Sequence, residues 1–257
     1  MKRKIKPNKL IIAVLILSLI IIAVGLKLSG IFDSDPDGVD RISETGPTAS
    51  SIKVAERIRR QRAIERFDKL VITRDGDTSI LLSAGCLANA EGVPLLVSEK
   101  KSEDELKNYI TNHVKKDGTI YFVGDDNAYN ETGKSLGNGL SKNYKVKNVV
   151  GKSSSEVNRN VLLEISKNKD GGIKELFICE KNNAENAISA LATGRPIFIF
   201  DEKISKEQKS FLKSTALNNI YLIGNARTIS TETELALREY TRSCFRFDND
   251  DTQVNDR

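Results

Sequence analysis

The sequence predicts an α/β fold: tandem small three-layer α/β/α modules with short, mostly parallel sheets, preceded by one N-terminal transmembrane helix. Three observations carry this. Short apolar runs alternate with amphipathic or small-residue helical stretches, which is the pattern of βαβ units around a parallel sheet. The same order of elements then returns with a period near 100 residues (Gly124 against Gly224), right for a small module. Ahead of both copies, Leu10 to Leu26 (LIIAVLILSLIIIAVGL) is uninterrupted by charge.

Taken in order, residues 1–9 are a basic segment expected on the cytoplasmic side, and residues 10–32 form the membrane segment. Its seventeen-residue apolar core spans about 26 Å as a helix, against a hydrocarbon thickness of about 30 Å. Lys27 snorkels and Leu28, Ile31 and Phe32 extend the stretch. The run exceeds a signal-peptide core, and its one small-x-small site, Ala23-Val24-Gly25, lies inside it. An uncleaved anchor is therefore favoured over a cleaved signal. The basic flank puts the N-terminus inside and residues 33–257 outside a single-pass cell membrane. Residues 33–50, acidic and proline-containing, read as a linker.

A first module is expected over residues 51–143. Helical periodicity runs through 52–67, followed by strand 70–73, small-residue helix 79–90, strand 94–97, helix 103–114 and strand 119–123. The second, over residues 144–243, repeats the order: strand 176–179, small-residue helix 184–193, strand 196–200, helix 205–217 and strand 220–223. In both, the second strand opens with proline (GVPLLVS, GRPIFIF) and the third closes on glycine (TIYFVGDDNAYN, NIYLIGNARTIS). Residues 244–257 remain as an incomplete third module or a tail.

The charge balance excludes one function class. Of 40 Lys and Arg against 35 Asp and Glu, six bases and no acid fall in residues 1–27. The basic character is thus a targeting signal, and no nucleic-acid footprint remains. One histidine and three widely spaced cysteines (Cys86, Cys179, Cys244) disfavour disulfide frameworks, multi-His metal sites and His-dependent triads. Neither a metal nor a cofactor is expected. Cys86 and Cys179 read as buried small hydrophobes, and His113 as a cation closing a helix.

The order of motifs resembles the bacterial cell wall-binding repeat of the second type, found in tandem on clostridial surface proteins. The matching segments are Gly38-Val39-Asp40-Arg41, Leu82-Ser83-Ala84, Val93-Pro94-Leu95-Leu96 and Ile120-Tyr121-Phe122-Val123-Gly124. In the second copy they are Val150-Gly151-Lys152, Ala187-Ile188-Ser189-Ala190, Arg195-Pro196-Ile197-Phe198 and Ile220-Tyr221-Leu222-Ile223-Gly224. Ser153-Ser154 departs from the Asp-Arg of that pattern. The resemblance covers about residues 38–243. It implies a noncatalytic Gram-positive surface protein associating with an anionic cell-wall polysaccharide or teichoic-acid-like polymer. The polymer contacts would be Arg41, Arg74, Pro94, Leu95, Leu96, Arg195 and Pro196. Members usually carry three modules, so an unfinished third also raises self-association.

Two other readings stay open. One is a partner-binding ectodomain that has lost polymer affinity. The other is an exported phosphatase-like hydrolase. Asp75-Gly76-Asp77-Thr78-Ser79 follows an apolar strand, and Gly124-Asp125-Asp126 follows another, the two acid pairs standing where α/β sites form. Against this, the second copy has Glu180-Lys181-Asn182-Asn183 and Asn225-Ala226-Arg227 at those places, so the repeat does not require the acids. Asp and Gly after a strand are also ordinary turn formers.

Overall fold

Residues 44–247 are described by a computed structural model of the chain. The apolar run, most of the linker, Arg41 and the C-terminal tail lie outside them. Among the described residues no helix is long and apolar enough to cross a membrane.

Two parallel four-stranded sheets organise this part, with strand orders β2-β1-β3-β4 and β6-β5-β7-β8. The first half runs α1 (Pro47–Gln61), β1 (Phe67–Arg74), α2 (Thr78–Glu91), β2 (Leu95–Ser98), α3 (Glu103–His113) and β3 (Val114–Asp125). A helical run follows, Asp126–Ala128, a π turn at Tyr129–Gly133, and Lys134–Leu140, together called α4. The half ends in β4 (Lys145–Gly151). The second half is α5 (Ser154–Asn168), β5 (Glu175–Glu180), a 3₁₀ segment (Lys181–Thr193), β6 (Ile197–Phe200), α6 (Lys206–Ser214), β7 (Leu217–Ile223), α7 (Thr231–Arg238) and β8 (Thr241–Phe247).

Local chemistry explains where these elements begin and end. Pro47 opens α1, where its missing N–H costs nothing. Asp77 caps α2 by accepting from the Ser79 and Ile80 amides, and Ser205 and Gln208 form a reciprocal capping box at α6. The first turn of α3 holds three acids and its last holds His113, complementing the helix dipole. His113 lies in the last turn of α3, its ring packed 4.7 Å from that of Tyr109 and its Nε2 3.6 Å from Glu56. Gly92 and Gly194, at φ 67° and 70°, end α2 and the 3₁₀ segment in the left-handed conformation that glycine adopts without strain.

The first half is a three-layer sandwich. Leu70, Ile72, Ile120 and Phe122 pack with Ala55 of α1, Leu106 and Ile110 of α3 and Leu136 of α4. The opposite face, Val71, Tyr121, Val123 and Val149, joins α2 and α5 in a larger core that continues through the second sheet.

Three expectations change. β4 pairs with β3 in parallel (Tyr121 opposite Lys147), so the first sheet takes a strand from beyond the boundary placed at residues 143/144. β8 pairs with β7 likewise (Tyr221 opposite Phe245), so Cys244–Phe247 belong to the second sheet. The helix expected over residues 184–193 is a longer 3₁₀ segment. Asn182 and Asn183 both donate to the Glu180 carboxylate, and the backbone at Asn183 leaves the helical range.

Candidate functional site

Parallel sheets gather their loops at the C-terminal strand ends, where α/β proteins place their sites. Here the loops after β4 and β6 and the starts of α5 and α6 enclose a polar cleft of about 470 Å³, lined among others by Lys152, Ser155, Arg159, Asp201 and Gln208. Ser155 Oγ donates to Asp201 Oδ2 at 2.6 Å. Ser153 caps α5 by accepting from the Glu156 amide, and the Glu156 carboxylate lies 3.6 Å from Arg159 Nη2. Glu207, also in the wall, has its carboxyl held below the usual range by its own backbone amide and by Ser205. A second opening of about 550 Å³ adjoins it through the shared Asp201 and is lined by Glu180, Lys181, Asn182, Glu202 and Lys203. Lys181 Nζ stands 3.8 Å from Asp77 Oδ2.

Both openings mix cations with carboxylates and hydroxyls. Such a surface offers donors and acceptors together, suited to the hydroxyls and dispersed charges of a glycan, not a concentrated cationic pocket.

The residues expected from the sequence are scattered. Arg41 lies outside the described residues. Arg74 ends β1 and pairs with Glu131 at 2.7 Å. Arg195 precedes β6, at the opposite end of its strand. It pairs with Glu175 and lies over the Tyr221 ring, 5.7 Å from its centroid. Pro94, Leu96 and Pro196 are buried, and Leu95 is half-buried. Their burial follows from their place: a strand flanked by helices spends its apolar residues on packing.

The acids of the hydrolase pattern serve local structure. Asp77 Oδ1 already accepts two amide hydrogens, at 2.8 and 3.2 Å, and Asp125 Oδ1 accepts one from Ala128 at 2.7 Å. Both are helix caps. Among the described residues no three His, Cys, Asp or Glu side chains converge to hold a metal. Cys86 and Cys179 are buried, and desolvation pushes each thiol up to about 12, which leaves them inert as nucleophiles near neutral pH.

Sequence reasoning missed Lys152, Ser155, Arg159 and Asp201. Ser153-Ser154 departs from the Asp-Arg of the repeat pattern, and with Ser155 it makes a serine run after an apolar strand, which is a helix-capping signal.

No protein-family model matches the sequence, and no curated protein does. Among the solved structures that share the fold are two from Clostridium difficile. Cwp6 from Clostridium difficile superposes with a TM-score of 0.65 over 84% of this chain at 16% identity. Cwp8 from Clostridium difficile does so with a TM-score of 0.69 over 90% of this chain at 20% identity. The match spans 36% and 38% of those two chains, little more than a third of their length.

Proposed function

We propose that this is a cell-wall-associated surface protein, held to the membrane by residues 10–32 with the remainder outside, that associates with an anionic wall polymer through the polar openings at the C-terminal strand ends. The observation that carries the reading is the fold shared with two cell wall proteins, Cwp6 and Cwp8. The cleft supports it with suitable chemistry. Lys152, Arg159 and Lys203 face anionic groups of the polymer. Asp201 and Ser155 exchange hydrogen bonds with its hydroxyls. Carboxylates nearby keep each unit's contact weak, so retention accumulates along a repeating polymer.

The test is a pull-down of residues 44–257 on purified cell walls before and after stripping of the secondary polymers. Binding to intact walls that disappears on stripping is the expected result. Lys152→Ala combined with Lys203→Ala removes two charge-assisted bonds of about 1.5 kcal/mol each, so its affinity falls by at least tenfold. Undiminished binding to stripped walls, or none to intact walls, overturns the reading.

A further inference from the structure

The junction between the two halves is built around one helix with two working sides. Ser155, Asn158 and Leu162 form one side of α5: Ser155 reaches Asp201, and Asn158 bonds the outer edge of β6. On its other side, Glu164 pairs with Lys147 of β4 at 3.1 Å and Asn168 lies 3.4 Å from the Tyr121 hydroxyl of β3. Val157, Val161 and Ile165 share that side by helical spacing and are buried. Thus α5 serves its own sheet and closes a face of the preceding one.

α1 is built as the counterpart of α5. Thr48 N donates to Glu99 as Ser155 bonds Asp201, and Ser51 Oγ accepts from Val97 N of β2 as Asn158 Oδ1 accepts from Ile199 N of β6. Counting from their caps, Gly46 and Ser153, Val54 and Ile58 stand where α5 has Val161 and Ile165. Val161 is fully buried, whereas Val54 is 40% exposed.

The matching open surface is at the other end of the chain. By strand register, Tyr221, Phe245 and Phe247 occupy the positions of Tyr121, Lys147 and Val149. Ile188 precedes its left-handed glycine by six residues, as Cys86 does. Cys86 and Val149 are 3% and 8% exposed under the junction, whereas Ile188 and Phe247 are 55% and 53% exposed. Phe245 is exposed as well, its ring stacked on Tyr221 at 5.6 Å. Four of the six large apolar side chains exposed among the described residues therefore belong to two complementary halves of one contact.

We propose that the chain self-associates head to tail, α1 of one copy docking on the open face of β7, β8 and the 3₁₀ segment of a second copy, in the manner of α5 on β3 and β4. The second copy is the fitting occupant because the contact continues the internal junction and each chain carries both of its sides. The two patches differ, so the contact is heterologous and either closes into a ring or propagates.

Sedimentation equilibrium of residues 44–257, which contain both cores, tests this. The expected result is a mass that rises with concentration above that of one chain. Val54→Asp and Phe245→Asp each weaken association at least tenfold, and a mixture of the two variants restores a single 1:1 pair, since one good contact remains between them. Circular dichroism confirms that each variant is folded. Should an aspartate variant lose structure, Val54→Ser and Phe245→Ser carry the same comparison. A monomer at all concentrations overturns the proposal, as does association untouched by the α1 substitution or a mixture that fails to pair. The full chain in detergent is expected to show the same pattern of variants.

Discussion

Asn158 concentrates the largest consequence in one side chain. It is fully buried, donates to Ser83 Oγ at 3.0 Å and the Ile197 carbonyl at 2.9 Å, and accepts from the Ile199 amide at 2.9 Å. β6 is an edge strand, and its outward backbone groups have no neighbouring strand. Asn158 supplies that missing neighbour. The Ile197 amide reaches Cys86 Sγ at 3.3 Å and Gln208 donates to the Ile199 carbonyl at 2.8 Å, so side chains complete the edge. An edge dressed in this way can be buried without orphaned polar groups. Asn158→Ala leaves two buried backbone groups unpaired at about 1–3 kcal/mol each. The expected loss is about 3 kcal/mol, read from urea unfolding at constant m-value. A loss under about 1 kcal/mol would show that water replaces the amide. The sequence did not reveal this residue, because an asparagine within SSEVNRNVLLE looks like an ordinary exposed helix position.

At the scale of elements, strands and most helices were legible because period and punctuation agreed. Apolar runs such as LVIT and LFIC stood between turn residues, and Gly92 and Gly194 marked where helical segments stop. The fourth strand of each sheet was not. KVKNVVG and TRSCFRF alternate with charge because each forms a sheet edge with one exposed side, so they lack the continuous apolar run of a central strand. β8 is secured instead by Arg246. It donates to the Gly224 and Ile229 carbonyls at 2.7 and 2.9 Å and to Glu234 of α7 at 2.6 Å. Arg238, then Arg246, hold the Glu234 carboxyl below its ordinary value of 4.5. A carboxylate lowered in the folded state contributes stability above its unfolded value and loses it as pH falls through the folded one. The stability gap between wild type and Glu234→Gln is therefore expected at pH 7 and should close as pH drops below 4.5. Melting temperatures of both proteins across that range measure it. A gap independent of pH would mean that Glu234 acts through packing alone.

Across the whole molecule, the duplication could be read from the order of motifs, but its physical coupling could not. Sequence period shows that two units exist, whereas how they share a core depends on contacts more than 100 residues apart, such as Ile197 N to Cys86 Sγ. The site was legible to the same partial degree. Strand-end loops were foreseeable as its location, but a cleft that brings Lys152 and Ser155 to Asp201 and Gln208 from distant loops has no local signature. The shared core makes a definite demand on unfolding. Residues of α2, α5 and both sheets belong to one buried cluster, with Cys86 contributed by the first half and Cys179 by the second. Independent modules would open separately, each exposing its thiol at its own denaturant concentration. With one core, removing either half strips the cover from the other, so both thiols should emerge together. In native protein at pH 8, thiol reagent should modify Cys244 alone at an appreciable rate, because it is partly exposed. In a urea series, Cys86 and Cys179 should then become reactive at one midpoint, coincident with the loss of helical circular dichroism. Separate midpoints would divide the core at the junction and return the halves to autonomous domains. A common midpoint that shifts for both thiols in Asn158→Ala would assign the coupling to the side chains that close the β6 edge.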